Sequence, residues 1–263
     1  MDVPNTTRIV LLGKTGAGKS SLANTILGRN EFKVLHFSDS QANVCIAKSG
    51  SVVGRNLTLI DTPGFFSPGR SEQELKHEIQ SCVTKCPPGP HAFIIVLRVE
   101  KFTEQETAVI RKLQECFSAE VFKYSTVVFT DGDQLPDRMS IKEFITNNKP
   151  LKDLVDKCGG RCHVVDNKYW KNQQDEYRNN QFQVTQLVNT IQNMLMENEG
   201  GSYTTEMLKP SSLSASLHRV YRLLTKYTTK KSVKVLVGVA VILGALLFLK
   251  SVTTSQSTAA TAT

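Results

Sequence analysis

The stretch that most constrains this chain is Gly13–Ser21, GKTGAGKSS, directly behind the apolar run RIVLL. Glycine, serine and lysine at this density add little to a core. They fit the pattern G-x-x-x-x-G-K-[ST], with Gly13, Gly18, Lys19 and Ser20 at its fixed positions. Glycines let backbone N–H groups turn inward around phosphate oxygens, because they accept positive φ and carry no side chain. A helix beginning near Lys19 aims the positive end of its dipole at the same anion. Lys19 would reach the β- and γ-phosphates, and Ser20 would ligate Mg²⁺. The expected cradle is therefore Gly13, Lys14, Thr15, Gly16, Ala17, Gly18, Lys19, Ser20 and Ser21. A bare Gly/Ser turn between strand and helix is the bland alternative. The motif alone says nucleotide, not which one.

The rest of the first 200 residues alternates strands and helices. RIVLL, the pair VCIAKSG and RNLTLID around a glycine turn, HAFIIVLRV, STVVFT and CHVVDN read as strands. Helices are expected after the phosphate loop, over TEQETAVIRKLQECF behind a capping box of Thr103 and Glu106, over SIKEFITNN, over LKDLVDKCGG, and over QFQVTQLVNTIQNMLMEN. This alternation predicts an α/β fold, a mostly parallel sheet with helices on both faces. Six cysteines are scattered without a C-x-x-C pair or a usual zinc pattern, so free or buried cytosolic thiols are expected.

The formal charge is +8. From Gly201 onward there are eight Lys/Arg and one acid, so the basicity belongs to the tail and residues 1–200 are nearly neutral. That argues against a nucleic-acid-binding face. The sequence divides into a domain over 1–200, a linker and basic amphipathic helix over 201–232, an apolar span over 233–250 and an uncharged tail over 251–263. The amphipathic stretch suits either an anionic membrane surface or a docking helix. Val235–Leu249 holds 15 residues without a polar side chain. That is about 22 Å of helix against ~30 Å of hydrocarbon. Flanking Ser, Val and Thr extend it, and Lys234 and Lys250 can snorkel. A tail anchor holding the domain on the cytosolic side is expected. The ER and the mitochondrial outer membrane both suit so short a span.

Two further motifs refine the nucleotide. LTLIDTPG ends a strand at Asp61 and turns through Gly64. The carboxylate can hold Mg²⁺ through water, and the Gly64 N–H can meet a γ-phosphate. STVVFT runs into DGDQL, where GTP-binding domains use Asn-Lys-x-Asp. Asp133 fits the aspartate that accepts guanine N1–H and N2–H₂, with Thr130 for the asparagine and Asp131 for the lysine. Adenine offers neither donor in that geometry. Asn167, in VVDNK, is the expected loop contact to the base.

Together LLGKTGAGKSSLANTILG, LTLIDTPGFF, CPPGPHAFIIVLRVEKFTEQE, FTDGDQL and the NK pair resemble the GIMAP family, the immunity-associated AIG-type GTPases. The resemblance runs from about Arg8 to Asn198, and Cys86–Glu106 is its most diagnostic block. It implies a G domain of the septin-like branch that binds GTP and GDP with Mg²⁺. It also implies GTP-dependent pairing through the nucleotide face, as homodimer, oligomer or with related members, and often a C-terminal anchor. Three positions depart from what such enzymes carry. Ala42 stands where the family's first switch has a threonine. Phe65 follows Gly64, where small GTPases have a water-orienting glutamine. Lys101 stands where similar proteins present an arginine across a dimer, and is the candidate catalytic residue. Lysine carries the charge without the bidentate fork. The sequence thus favours a GTP-loaded assembly module with slow hydrolysis over a GTPase completed by dimerisation. A P-loop ATPase or kinase is a weaker third reading.

Overall fold

The apolar runs become the centre of a six-stranded sheet. The computed structural model describes residues 4–34, 45–67, 69–84, 86–171, 175–204 and 207–208. The elements are β1 (Thr7–Leu12), α1 (Lys19–Leu27), β2 (Ile46–Val52), β3 (Arg55–Asp61), α2 (Glu72–Thr84), β4 (Ala92–Arg98), α3 (Glu104–Cys116), β5 (Ser125–Thr130), α4 (Ile141–Thr146), α5 (Lys149–Lys157), β6 (Cys162–Val164) and α6 (Asn180–Glu197), with short 3₁₀ turns before and after β5. The strand order is β2-β3-β1-β4-β5-β6. β2 alone is antiparallel, on the edge.

Period-two alternation divides β1 between two cores. Ile9 and Leu11 join α1 and α6 on one face, around Leu22, Ile26, Leu187 and Ile191. Val10 and Leu12 join α2, α3 and α5 on the other, around Ile79, Leu113 and Leu154. Local signals close the helices as expected. Thr103 and Glu106 form the capping box of α3, and Gly159 and Gly160, behind α5, both adopt positive φ. The sequence reading assigned nothing to 71–84. Its helix α2 is opened by Ser71, whose N–H and hydroxyl both meet Glu74, and its buried apolar stripe is thin: Leu75, Ile79, Cys82 and Val83, with Gln80 buried beside them.

Two expectations are corrected. Cys45 and Cys82 form a disulfide, their Cα atoms 5.8 Å apart, so the thiols are not all free. They lie 37 residues apart. The β2–β3 return brings Cys45 onto the core that α2 covers, a meeting no spacing rule reveals. Cys86, Cys116, Cys158 and Cys162 are free. The stretch after Asn198, expected to be a linker, begins as packed chain. Tyr203 is fully buried: its N–H bonds to Pro90 O, its hydroxyl meets Ser118 N and Met207 O, and its ring stands edge-on to Phe93, Phe117 and Tyr124. The compact unit runs to Lys209, and 210–263 form a second unit. The expected amphipathic helix and apolar span both lie there, outside the described residues; Ala42 is outside them too. Among the described residues no helix is long and apolar enough to cross a membrane.

Candidate nucleotide-binding site

The phosphate loop leaves β1 and enters α1 as the sequence predicts. Gly16 and Gly18 adopt positive φ, at 81° and 83°. Two other glycines are required by close approach. A Cβ on Gly13 would lie 2.5 Å from Val96 O, and one on Gly64 would lie 2.5 Å from Thr15 N. The loop is clipped to the turn after β3 by Thr15 N–H to Phe65 O and Phe65 N–H to Gly13 O, both 3.0 Å. Lys19 is buried. Its Nζ donates to Gly13 O at 3.3 Å and Lys14 O at 3.1 Å, which holds it inside the loop. Burial pushes its ammonium below the ordinary lysine value, against the attraction of Asp61.

Asp61 ends β3 as expected. Burial raises its carboxyl above the usual range, although Lys19, the Ser20 hydroxyl and Thr62 N–H oppose this. Ser20 Oγ donates to Asp61 Oδ2 at 2.5 Å, while Asp61 Oδ1 is buried with no hydrogen-bond partner. An orphaned carboxylate oxygen beside a serine hydroxyl is an all-oxygen donor set of the kind Mg²⁺ takes. The residues present therefore fit the ion that the motif implies, with Ser20 and Asp61 as its holders.

The residues expected at the base end lie at the exits of β5 and β6. Thr130 is fully buried, and its hydroxyl donates to Ala17 O at 2.9 Å and Leu97 O at 3.2 Å. It thus ties β5 to the phosphate loop instead of pointing outward. Asp131 adopts φ 58° and accepts Arg98 Nε at 2.5 Å. Both partners are solvated, so the pair contributes at most about 1 kcal/mol. Asp133 is half-buried on the following 3₁₀ turn, and Gln134 donates to its Oδ2 at 2.7 Å. Asn167 sits against the phosphate loop: its Oδ1 accepts the Thr25 hydroxyl at 2.9 Å, and its Nδ2 lies 3.1 Å from where a Gly18 Cβ would be. Thr130 and Asn167 therefore both meet the phosphate loop at Gly18.

Some functional neighbours escape a sequence reading. Asp166, buried behind Asn167, accepts the N–H of Lys168 at 2.8 Å, of Asp133 at 3.3 Å and of Tyr169. Trp170 packs over Gly132 so closely that a Cβ there would lie 2.6 Å from its ring. The side chain of Lys14, counted as a cradle residue, is engaged by carboxylates. Its ammonium binds Glu100 at 2.7 Å and the buried Glu106. Burial works against that charge, but the two carboxylates hold Lys14 above the ordinary lysine value. The Thr103–Glu106 spacing announced a helix cap; that Glu106 also reaches the phosphate loop needs the fold. A cleft of about 810 Å³ opens beside the loop, lined by Lys14, Thr15, Gly16, Phe65, Phe66, Arg98 and the first turns of α3. Phe65 itself is 1% exposed, part of the core. Lys101 is exposed on the loop between β4 and α3.

The AIG1 family model matches residues 7–219. GTPase IMAP family member 8 of Homo sapiens is 33% identical over 198 residues, which cover 74% of this chain and 28% of that protein. Immune-associated nucleotide-binding protein 8 of Arabidopsis thaliana is 35% identical over 204 residues, 76% of this chain and 56% of that protein. The chain thus spans less than two thirds of the length of these curated relatives. Toc33 from Arabidopsis thaliana, solved with GDP and Mg²⁺, superposes with a TM-score of 0.58 at 21% identity, covering 74% of this chain and 86% of that one. A second solved structure, TM-score 0.56 at 22% identity over 72% and 83% of the two chains, is described as showing that dimerization is important for the GTPase activity of the chloroplast translocon components atToc33 and psToc159. At such identities the likeness speaks for the fold.

Proposed function

Because the chain belongs to the AIG1 family and carries its GTP-binding G domain, we propose that it is a membrane-anchored guanine-nucleotide-binding protein that pairs through its G domain when loaded with GTP. In this reading Gly13–Ser21 cradle the phosphates, Ser20 and Asp61 hold Mg²⁺, the Gly64 N–H meets the γ-phosphate, and Asp133 with Asn167 selects guanine. Mg²⁺, once bound, would neutralise charge on the β- and γ-phosphate oxygens. The observation that carries the reading is the unpartnered Asp61 Oδ1, buried beside Ser20 and facing the charge of Lys19.

Phe65 carries the slow-turnover half. A ring 1% exposed in the core has no donor or acceptor with which to orient a water. The function that remains is to hold GTP and use the loaded state for assembly, as a homodimer, a larger oligomer or a complex with related members. The C-terminal segment, residues 233–250, anchors the assembly on the cytosolic face of the ER or the mitochondrial outer membrane.

A second reading is an active GTPase completed by pairing. The exposed Lys101, on the loop beside the cleft, favours it. The statement made for the translocon GTPases supports it by analogy. A P-loop ATPase or kinase is disfavoured by Asp133, and competition of ADP against GDP tests that. The deciding measurement is GTP turnover by the full-length protein across a range of concentrations, with bound nucleotide quantified. A flat, near-zero rate with GTP bound and dimers present supports the assembly module. A rate per molecule that climbs with concentration supports the second reading and assigns Lys101 by its loss in Lys101→Ala. Retention of the protein in salt-washed membranes, lost on truncation after Lys209, tests the anchor.

A further inference from the structure

A covalent bond encloses one side of the site and nothing of the other. The Cys45–Cys82 disulfide joins Cα atoms 5.8 Å apart across a sequence separation of 37 residues, within the ordinary span of such bonds. Inside that covalent loop lie β2, β3 with Asp61, the turn through Gly64 and Phe65, and nearly all of α2. The phosphate loop, Asp133 and Asn167 lie outside it. The bond also sits close to Asp61 in the sheet. Cys45 directly precedes Ile46, and Ile46 is the register partner of Asp61 on the β2–β3 ladder. Cys82 comes from the buried stripe of α2, in the same core. The disulfide thus pins the strand beside Asp61 to the helix that follows the Gly64 turn.

The two sulfurs are not equally open. Cys82 is 2% exposed, whereas Cys45 is half-buried. The free Cys86 stands four residues beyond Cys82, and its thiol donates to Cys82 O at 3.1 Å. Burial lifts that thiol above the ordinary cysteine value, against the pull of Arg8, so it competes poorly as a nucleophile. An incoming thiolate meets Cys45 first.

We propose that Cys45–Cys82 is a redox modification site that sets how firmly the Mg²⁺ side of the nucleotide site is held. This goes beyond the function proposed above and takes from it only the Mg²⁺-holding role of Asp61 and the cytosolic setting. Thiols there are kept reduced, and the disulfides that do occur are usually transient or redox-sensing. The co-reactant is a dithiol. Its thiolate attacks Cys45 Sγ, the bond to Cys82 breaks, and Cys82 leaves as a thiolate that takes a proton. The second thiol of the reductant then attacks the mixed disulfide, closing the reductant's own S–S bond and returning Cys45 as a thiol. Two electrons and two protons pass to the protein. Oxidation is the reverse, with the disulfide form of the same reagent as oxidant. With the bond intact, the strand and helix flanking the Asp61 turn keep one arrangement. Without it, β2 is an edge strand held by the β3 ladder on one side, with Ile46 exposed at its start. The reduced form must then order that edge when Mg²⁺ binds, which weakens binding.

The test uses the full-length protein purified without reductant, with dithiothreitol as the probe. Alkylation of the unfolded chain by iodoacetamide is expected to mark four of the six cysteines before dithiothreitol and all six after it. GDP dissociation is then followed against Mg²⁺ concentration in both states, which needs no variant. Reduction is expected to raise the Mg²⁺ required for half-maximal retention of GDP about three- to tenfold, less than the roughly 10–100-fold typical when a residue bonded to a metal ligand is lost. GDP affinity in EDTA is expected to stay unchanged, because the phosphate loop and the base end lie outside the covalent loop. Cys45→Ser is expected to behave as the reduced protein with or without dithiothreitol, and Cys86→Ser to keep the wild-type response. Six markable thiols before reduction, or a Mg²⁺ dependence that dithiothreitol leaves unmoved, overturns the proposal. So does an equal loss of GDP affinity in EDTA, which is what a general loss of stability would give. A protein that binds no GDP in either state overturns the nucleotide reading as well, so the two failures are distinguishable.

Discussion

The two ends of the site are built on different principles. The phosphate end uses main chain: positive-φ glycines, carbonyls that hold Lys19, and approaches so close that Gly13 and Gly64 admit no methyl group. Of its charges, Lys19 is buried and Asp61 is half-buried, with its Oδ1 shut away from solvent. The base end uses side chains on two strand exits, and its key carboxylate is half-exposed. There the geometry is imposed from outside by Asp166, Asn180 and Trp170. An anion can be held by backbone that a short motif specifies almost completely. A base edge needs a carboxylate aimed correctly, and the aiming residues come from distant parts of the chain.

The contrast can be broken or sharpened with two probes, pyrophosphate for the phosphate end alone and GDP for both ends. Lys19→Ala carries the largest expected effect. It removes charge-assisted bonds worth roughly 1.5–3 kcal/mol each, so both probes weaken on the order of 10²–10³-fold. Asp133→Ala comes next, with GDP weakened about 100-fold and pyrophosphate unchanged. A matching loss for pyrophosphate would mean the ends are not separate. Thr130→Val strikes the joint, where the hydroxyl meets Ala17 O and Leu97 O. About 1–2 kcal/mol is expected from melting curves, with both probes weakened together. If pyrophosphate holds, the ends work independently. Lys168→Ala is the smallest. Its ammonium stands over the Tyr169 ring at 4.7 Å on an exposed loop, and less than about 1 kcal/mol in GDP affinity is expected.

What could be read from the sequence follows the same division. Gly13–Ser21, Asp61 and Gly64 lie within short segments, and in the structure these stand at the ends of β1 and β3. The parallel sheet was legible because its strands are continuous apolar runs buried on both faces. Helix α2 was not, since four buried apolar side chains among thirteen make a faint stripe, although the Ser71–Glu74 pair would have marked its start. Asp166 was missed because VVDNK drew attention to Asn167. A buried aspartate announces itself only through the N–H groups it collects. The Cys45–Cys82 bond and the Lys14–Glu106 pair depend on contacts 37 and 92 residues apart, and no local pattern carries those.

Tyr203 decides where this domain can be cut. A chain ending at residue 200 would keep every strand and helix described above, yet leave an aromatic-sized hole between Phe93, Phe117 and Tyr124. Loss of a buried ring of that size costs about 3–5 kcal/mol, a large share of the 5–15 kcal/mol that typically keeps a domain folded. The tether to the second unit is thus also a plug. A protease that trimmed the chain on its amino side would release the tail and loosen the nucleotide-binding fold in the same stroke.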